Sequence, residues 1–196
     1  MEERAKRIVV AAIELAEKGG FEGVRLRDVA AHADVALGTL YRRFRSKEEL
    51  LLAALELQME SLEQRFAGEA FAGGTPLARV HEFFRITTEG MCSRPHLARA
   101  LVRAVVAGGP DLSQRVAAFH HRMEAMIARA LRGSGGGEPV SELERRVGQA
   151  LVNVWFASLT GWASGLHGVE AIVDDTHSAA ELILDGRGLP PHREHV

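Results

Sequence analysis

Residues 29–49, VAAHADVALGTLYRRFRSKEE, are the most informative part of this 196-residue sequence. It contains two short segments with helical spacing of apolar residues, separated by a tight turn at Ala33-Asp34. Asp34 suits the turn because aspartate adopts positive φ more readily than most non-glycine residues. The pattern predicts a helix-turn-helix whose second helix lies in the major groove of DNA. The apolar residues expected to lock the two helices together are Val29, Ala30, Val35, Leu40 and Phe44.

The charge distribution favours the same interpretation. Residues 25–47 contain six basic and two acidic side chains, whereas residues 51–196 contain 14 basic and 17 acidic ones. A phosphate-binding surface requires a local basic patch, and this chain has one although its net charge is −2. A charge cluster alone is more often a solvated helix face, but its coincidence with the turn favours a nucleic-acid surface.

Helical periodicity extends through nearly the whole chain, and no strand pair or hairpin turn stands out. We therefore predict an all-α fold, in which a three-helix domain containing the helix-turn-helix is linked by a long helix to a second helical domain. The expected divisions are residues 1–47 for the first domain, 48–186 for the second and 187–196 for a flexible tail. Glycine-rich connectors are expected at 68–74 and 133–139.

Local signals set the expected limits of several helices. Gly19-Gly20 is expected to end the first helix after about Lys18. Ser46 and Glu49 form the pattern of a capping box, and so do Ser141 and Glu144. Each pair predicts the start of a long helix.

The second helix of the motif and its flanks supply candidate DNA contacts. Gly38 lets the backbone approach base edges closely, and Ala36 or Leu37 suits a thymine methyl group. Arg27 suits a guanine edge, while hydroxyl and other basic side chains suit phosphate oxygens. The candidate DNA-binding residues are Arg25, Arg27, Ala36, Leu37, Gly38, Thr39, Tyr41, Arg42, Arg43 and Lys47.

With these residues in place, the chain resembles the TetR family of ligand-responsive transcriptional repressors over residues 4–60. The resemblance rests on Phe21, Gly23, Arg27-Asp28-Val29-Ala30, Val35, Gly38-Thr39-Leu40-Tyr41, Phe44 and Ser46-Lys47-Glu48-Glu49-Leu50. It implies a homodimer that binds a pseudo-palindromic DNA operator and is released by a small-molecule effector. Within the family, residues 36–41 and the long helical remainder resemble the KstR branch of cholesterol-catabolism repressors.

Three positions depart from the family pattern. Arg25 stands where the family often has a serine or threonine cap, and Ala36 replaces a frequent serine cap of the recognition helix. Asp34 replaces a common turn glycine. Both caps are therefore expected to be weak, and Asp34 is expected to lie at positive φ.

The C-terminal half resembles the family's dimerisation and ligand domain. In a helix expected from Ser141 to about His167, one face carries small residues at four-residue spacing. Glycine inside a helix costs about 1 kcal/mol relative to alanine, so the two glycines in this row indicate close approach of another helix. We interpret the row as the two-fold interface of the dimer, where the helices at about 141–167 and 169–185 would form a four-helix bundle with their mates; close packing within one subunit is the alternative. The row consists of Asn153, Ala157, Gly161 and Gly165.

Apolar, aromatic and methionine side chains on the helices of this half form a candidate effector site. The set is Phe84, Thr87, Thr88, Met91, Leu101, Val105, Phe119, Met123, Met126, Trp155, Leu159 and Trp162. Any single member is more often core than pocket, but the methionines suit an adaptable apolar site. The nearby polar groups are Arg99, Arg103, His120, His121 and Asn153. The absence of acidic residues among the aromatics disfavours a cationic drug. We expect a lipid, sterol-like or acyl-CoA type of effector.

Other functional classes find little support in the sequence. Nine histidines invite a metal interpretation, but none forms a zinc-binding i, i+4 pair with a carboxylate. Cys92 is the single cysteine and has no activating neighbours, so we expect no enzyme, no cofactor and no metal. No apolar run could span a bilayer and no signal peptide is recognisable, which indicates a cytoplasmic protein.

Two alternatives remain open. One is a helical dimeric scaffold or binding protein with no DNA role, and the other is an activator with the same DNA-binding half. The scaffold predicts that loss of Tyr41 and Lys47 changes nothing, whereas the repressor predicts loss of duplex binding with the fold intact.

Overall fold

The protein is all-helical in the computed structural model, which describes residues 3–67, 74–133 and 139–186. Within these ranges no residue is in a strand, as predicted. The α-helices are α1 (Glu3–Gly23), α2 (Leu26–His32), α3 (Leu37–Arg43), α4 (Lys47–Phe66), α5 (Pro76–Cys92), α6 (Pro95–Ala107), α7 (Ser113–Arg132), α8 (Glu142–Ala163) and α9 (Val169–Leu184). A short 3₁₀ helix, Pro110–Leu112, precedes α7.

Hydroxyl side chains cap the long helices where the sequence predicted. Ser141 accepts from the N–H of Glu144, and the Glu144 carboxylate accepts from the N–H of Ser141, which completes a capping box. Ser46 accepts from the N–H of Glu49 at 3.1 Å, but the Glu49 carboxylate accepts from the N–H of Arg45 instead of Ser46. The predicted box at Ser46 is therefore only half formed, because the carboxylate reaches one residue further back.

The first helix extends beyond its predicted end. Gly20 does interrupt it, with φ 59° and ψ −156°, values that favour glycine. One more helical turn then continues to Gly23 and buries Phe21 against the core. Phe21 thus closes the last turn of α1 instead of lying in a loop.

One continuous apolar core connects the N-terminal helices to the rest of the protein. α1 packs chiefly against α6 and also against α4, while α8 packs against α7 and α9. The proposed division after residue 47 therefore separates two parts of the sequence that share buried contacts in the fold. The predicted connectors fall largely on residues 68–73 and 134–138, and the predicted tail on 187–196, all outside the described residues.

Candidate functional site

Helices α2 and α3 have the geometry of a helix-turn-helix. Asp34 occupies the turn with φ 52°, and the N–H of Val35 donates to the carbonyl of Ala30 at 3.0 Å. Val29 and Leu40 are fully buried between the helices. The predicted turn and inner face are thus both present.

The helix starts in this unit lack side-chain caps. Arg25 precedes α2 and Ala36 precedes α3, and neither makes a side-chain capping hydrogen bond. The positioning of α3 therefore depends on buried apolar contacts and on the turn at Asp34, as the departures from the family pattern predicted.

The candidate DNA-contact residues lie on or directly before α2 and α3 and at the start of α4, and most of them are exposed. Eight of the ten are exposed, and Thr39 and Lys47 are partly buried. Tyr41 is 51% exposed, which is unusual for a large aromatic residue with an apolar core nearby. The Cβ that any other residue would add at Gly38 meets nothing within 4 Å. The fold itself therefore does not require glycine at that position.

Lys47 makes contacts with other parts of the protein. Its Nζ is 3.2 Å from Glu22 Oε2 and 3.9 Å from the centroid of the Phe21 ring. Arg103 of α6 also approaches Glu22, at 2.9 Å, and stacks over Phe21. Hydrogen bonding to Lys47 is the main cause that lowers the pKa of Glu22. The two cations thus join α1 to α4 and to α6.

An apolar cavity of about 220 Å³ lies among helices α4 to α8. Half of the twelve predicted effector residues line it: Thr87, Met91, Leu101, Phe119, Met123 and Trp155. The other six do not line it: Phe84, Thr88, Val105, Met126, Leu159 and Trp162. These are buried core side chains, which is the more frequent role of apolar residues at helical spacing.

Sequence reasoning missed the wall that α4 contributes to the cavity. The α4 residues at this wall are Leu55, Gln58, Met59, Ser61, Leu62 and Arg65. Leu55, Met59 and Leu62 follow the i, i+4, i+7 spacing of one helix face, and this signal identifies a buried face of α4 but not that the face meets a cavity.

Few polar groups reach the cavity, and none of its described lining residues is acidic. The Thr87 hydroxyl is buried and has no hydrogen-bond partner among the described residues, whereas neighbouring Thr88 accepts the indole N–H of Trp155 at 3.0 Å. Arg65 and Arg94 supply positive charge where the lining is exposed to solvent. The predicted polar neighbours, Arg99, Arg103, His120, His121 and Asn153, are not part of the lining.

The predicted small-residue row on α8 is shorter than expected. The helix ends at Ala163, so Gly165 lies beyond it, at φ 82°, and the expected extension to His167 is wrong. A Cβ at Gly161 would come within 2.5 Å of the His167 ring, so this glycine accommodates a side chain of the same protomer. Asn153 and Ala157 are exposed. Of the two explanations for the glycines, Gly161 therefore fits packing within one subunit.

Burial shifts the pKa values of the single cysteine and of two histidines. Burial raises the pKa of the Cys92 thiol to about 11, and burial lowers the pKa of His120 and of His177. Within the described ranges, no three histidine, cysteine, aspartate or glutamate residues are placed to hold a metal ion. His192 and His195 lie outside those ranges. No helix among the described residues is long and apolar enough to cross a membrane.

Two family models together match most of the chain. One, described as bacterial regulatory proteins of the tetR family, matches residues 8–54. The other, described as the C-terminal domain of tetracyclin repressor-like proteins, matches residues 73–183. The first match contains the helix-turn-helix, and the second contains helices α5 to α8 and most of α9.

Named relatives are similar along most of their length. The transcriptional repressor KstR of Mycolicibacterium smegmatis is 37% identical over 160 residues, which are 82% of this chain and 76% of that protein. KstR of Rhodococcus jostii is 34% identical over 189 residues, 96% and 86% of the two chains.

Solved structures share the fold. A TetR transcriptional regulator from Rhodococcus sp. RHA1 matches with a TM-score of 0.81 at 26% identity, covering 94% of this chain and 97% of that one. Thermus thermophilus FadR, in complex with lauroyl-CoA, matches with a TM-score of 0.73 at 22% identity, covering 98% and 99%.

Proposed function

The chain belongs to the TetR family of transcriptional regulators, with KstR repressors among its relatives, and from that premise we propose that it is a dimeric repressor released from a pseudo-palindromic operator by a mainly apolar effector. The observation that carries the proposal is that one helix connects the two sites. α4 begins at Lys47, directly after the recognition helix, and its later turns form a wall of the cavity.

The DNA contact is made by the exposed face of α3 and its basic flanks. Tyr41, Arg42 and Arg43 are exposed at consecutive positions of α3, so their side chains point in different directions around the helix. This arrangement suits phosphate oxygens on either side of a major groove. In a dimer, the two copies of α3 would be about 34 Å apart, one helical turn of the duplex, or a multiple of that spacing.

The effector is proposed from the lining of the cavity. Its walls are mostly aliphatic, aromatic and methionine side chains, which suit a flexible or sterol-like apolar body. The arginines and the lack of acidic lining residues favour a neutral or anionic molecule over a cationic drug. The same fold holds lauroyl-CoA in Thermus thermophilus FadR, so an acyl thioester is within the range that we propose.

Release from DNA follows as a population shift. Arg115 and Arg122 of α7 form bidentate ion pairs with α4, each with an N–O distance of 2.7 Å or less to Glu56 or Glu63 respectively. An effector wedged between α4 and α7 would move α4 as a lever and change the spacing of the two recognition helices. The effector must bind the DNA-incompetent state more tightly, because otherwise no release follows.

Dimerisation is proposed through α8 and α9. Asn153 and Ala157 form an exposed face of α8, and Leu182 and Ile183 leave apolar side chains exposed on α9. Apolar surface of this kind is typical of an interface that is covered in the functional assembly.

The proposal is tested by selecting duplexes that bind the protein from a random-sequence library, without effector. We expect enrichment of a pseudo-palindrome whose half-sites lie about 10 base pairs apart, or a multiple of that distance. Lauroyl-CoA and laurate are then added to the selected duplex, and release is measured by fluorescence anisotropy. Failure to enrich any sequence would contradict the DNA-binding role, and tighter duplex binding with effector would indicate the opposite direction of control.

A further inference from the structure

Arg94 belongs to the cavity and to the contact between the two halves of the protein. It lies immediately before α6 and lines the cavity together with Gln58 of α4. Its Nη1 is 2.8 Å from Glu17 Oε1 on α1, and its Nη2 donates to the side-chain oxygen of Gln58. A single guanidinium therefore connects α1, α4 and the cavity.

The contact with Glu17 is well placed to influence the DNA-binding helices. α6 is the helix against which α1 packs most extensively, so Arg94 acts at the main junction between the N-terminal helices and the body. The side chains of Arg94 and Glu17 are 42% and 36% exposed. Half-exposed ion pairs contribute little to stability, so a ligand can displace this one at small cost.

The surroundings of Arg94 favour an anionic competitor. The cavity offers an apolar interior and two arginines, with no carboxylate among its described lining residues. The guanidinium group presents planar paired donors that match a carboxylate or a phosphate. An amphipathic anion with its apolar part in the cavity would place its charged group near Arg94.

We propose that the effector carries an anionic group which binds Arg94 in place of Glu17, and that loss of the Glu17 contact loosens the turn of α1 around Glu17. This inference rests on the proposed function, because it takes the cavity as the effector site. The anion is a carboxylate or a phosphate, and these have two sources, a free fatty acid or the coenzyme A part of a thioester.

The competition makes a charge-selective prediction. Since Glu17 and the effector share one guanidinium, removing the Glu17 charge must strengthen binding of an anion and leave a neutral analogue unaffected. Glu17→Gln is therefore the informative variant, because Glu17 does not line the cavity. Glu14→Gln is the matched control, since it removes the same charge from α1 at a residue that bonds His32 instead of Arg94.

The experiment measures binding of laurate, lauroyl-CoA and the neutral analogue 1-dodecanol by tryptophan fluorescence and calorimetry. Glu17→Gln should tighten binding of at least one anion about two- to fivefold and leave dodecanol unchanged. Arg94→Gln should reduce the affinity for that anion towards the value for dodecanol. The anion that responds identifies the source, and Glu14→Gln should behave as the wild type.

Hydrogen exchange of the α1 amides tests the loosening in the same samples. The responding anion should speed exchange in wild-type α1, and dodecanol should not. If the ratio of anion affinity to dodecanol affinity is the same in Glu17→Gln and in Arg94→Gln as in the wild type, the competition at Arg94 is refuted. If hydrogen exchange of the α1 amides is unchanged when the anion is bound, the loosening is refuted. If no probe binds the wild type, the proposed effector cavity itself fails, and this inference with it.

Discussion

The ammonium group of Lys47 lies 3.2 Å from the Glu22 carboxylate, so the first residue of α4 is held to the last turn of α1. Lys47 is also a candidate for binding a DNA phosphate. If both contacts use the same ammonium, a phosphate must compete with Glu22 for it. Glu22 would then limit the affinity for DNA.

We therefore predict that Glu22→Gln tightens duplex binding. The variant frees the charges of Lys47 and Arg103, so log Kd should depend more steeply on log salt, by up to about one unit of slope. Anisotropy titrations at several salt concentrations measure both effects. Glu14→Gln removes an equal charge from α1, and an identical response from that variant would show that only general electrostatics is at work.

Gly38→Ala should separate folding from DNA binding. The added methyl group meets nothing in the free protein, and replacing a helical glycine by alanine should stabilise the fold by up to about 1 kcal/mol. Duplex affinity should nevertheless fall, because the methyl group obstructs the close approach of the backbone to DNA. Urea unfolding and anisotropy measure the two quantities.

Gly19→Ala is the control for that experiment, since Gly19 is also helical with open space around it. It should gain stability and keep its duplex affinity. Unchanged duplex affinity in Gly38→Ala would exclude a close backbone contact at this point.

Ala157→Arg should dissociate the proposed dimer. The residue is exposed in the protomer, so the larger side chain should leave the monomer folded while placing unpaired charge in the interface. Size-exclusion chromatography with light scattering measures the mass. Ala117→Arg makes the same change on an exposed position of α7 and should remain dimeric. A dimeric Ala157→Arg protein would move the interface away from this face of α8.

Glu144 should make stability depend on pH in acid. Hydrogen bonds from Arg132 and then from Ser141 lower its pKa to about 2 from an ordinary 4.5. The unfolded chain therefore binds more protons between these values, so the contribution of Glu144 is complete above about pH 4.5 and is lost as the pH falls towards 2. Glu144→Gln should be less stable by roughly 1 kcal/mol at pH 7, the order of a lost helix cap. The difference from the wild type should shrink in thermal melts towards pH 2, and a constant difference would contradict the assignment.

The sequence predicted those features that depend on neighbouring residues. Asp34 at positive φ, the capping box at Ser141 and the uncapped start at Ala36 all follow from backbone chemistry within a few residues. The family was also predicted correctly, because the helix-turn-helix pattern is local.

Features that depend on tertiary packing were predicted less well. Half of the expected effector residues line the cavity, since periodicity identifies a buried face of a helix but not whether that face meets another side chain or a void. The wall from α4 was missed for the same reason. The contact of Lys47 with Glu22 was not foreseen, because the two residues are distant in sequence and close only in the fold, and the assignment of Lys47 to a DNA phosphate stays a prediction.

The exposed face of α3 is proposed to bind DNA, and this contact is tested by anisotropy of the selected duplex with a variant carrying both Tyr41→Ala and Arg43→Ala. Both side chains are exposed, so circular dichroism should show an intact fold. A variant carrying Val106→Ala and Arg85→Ala loses one exposed apolar side chain on α6 and one exposed cation on α5, and it serves as control. We predict that the α3 variant loses duplex affinity by at least about tenfold while the control keeps it. Equal duplex affinity of the wild type and the α3 variant would contradict the claim.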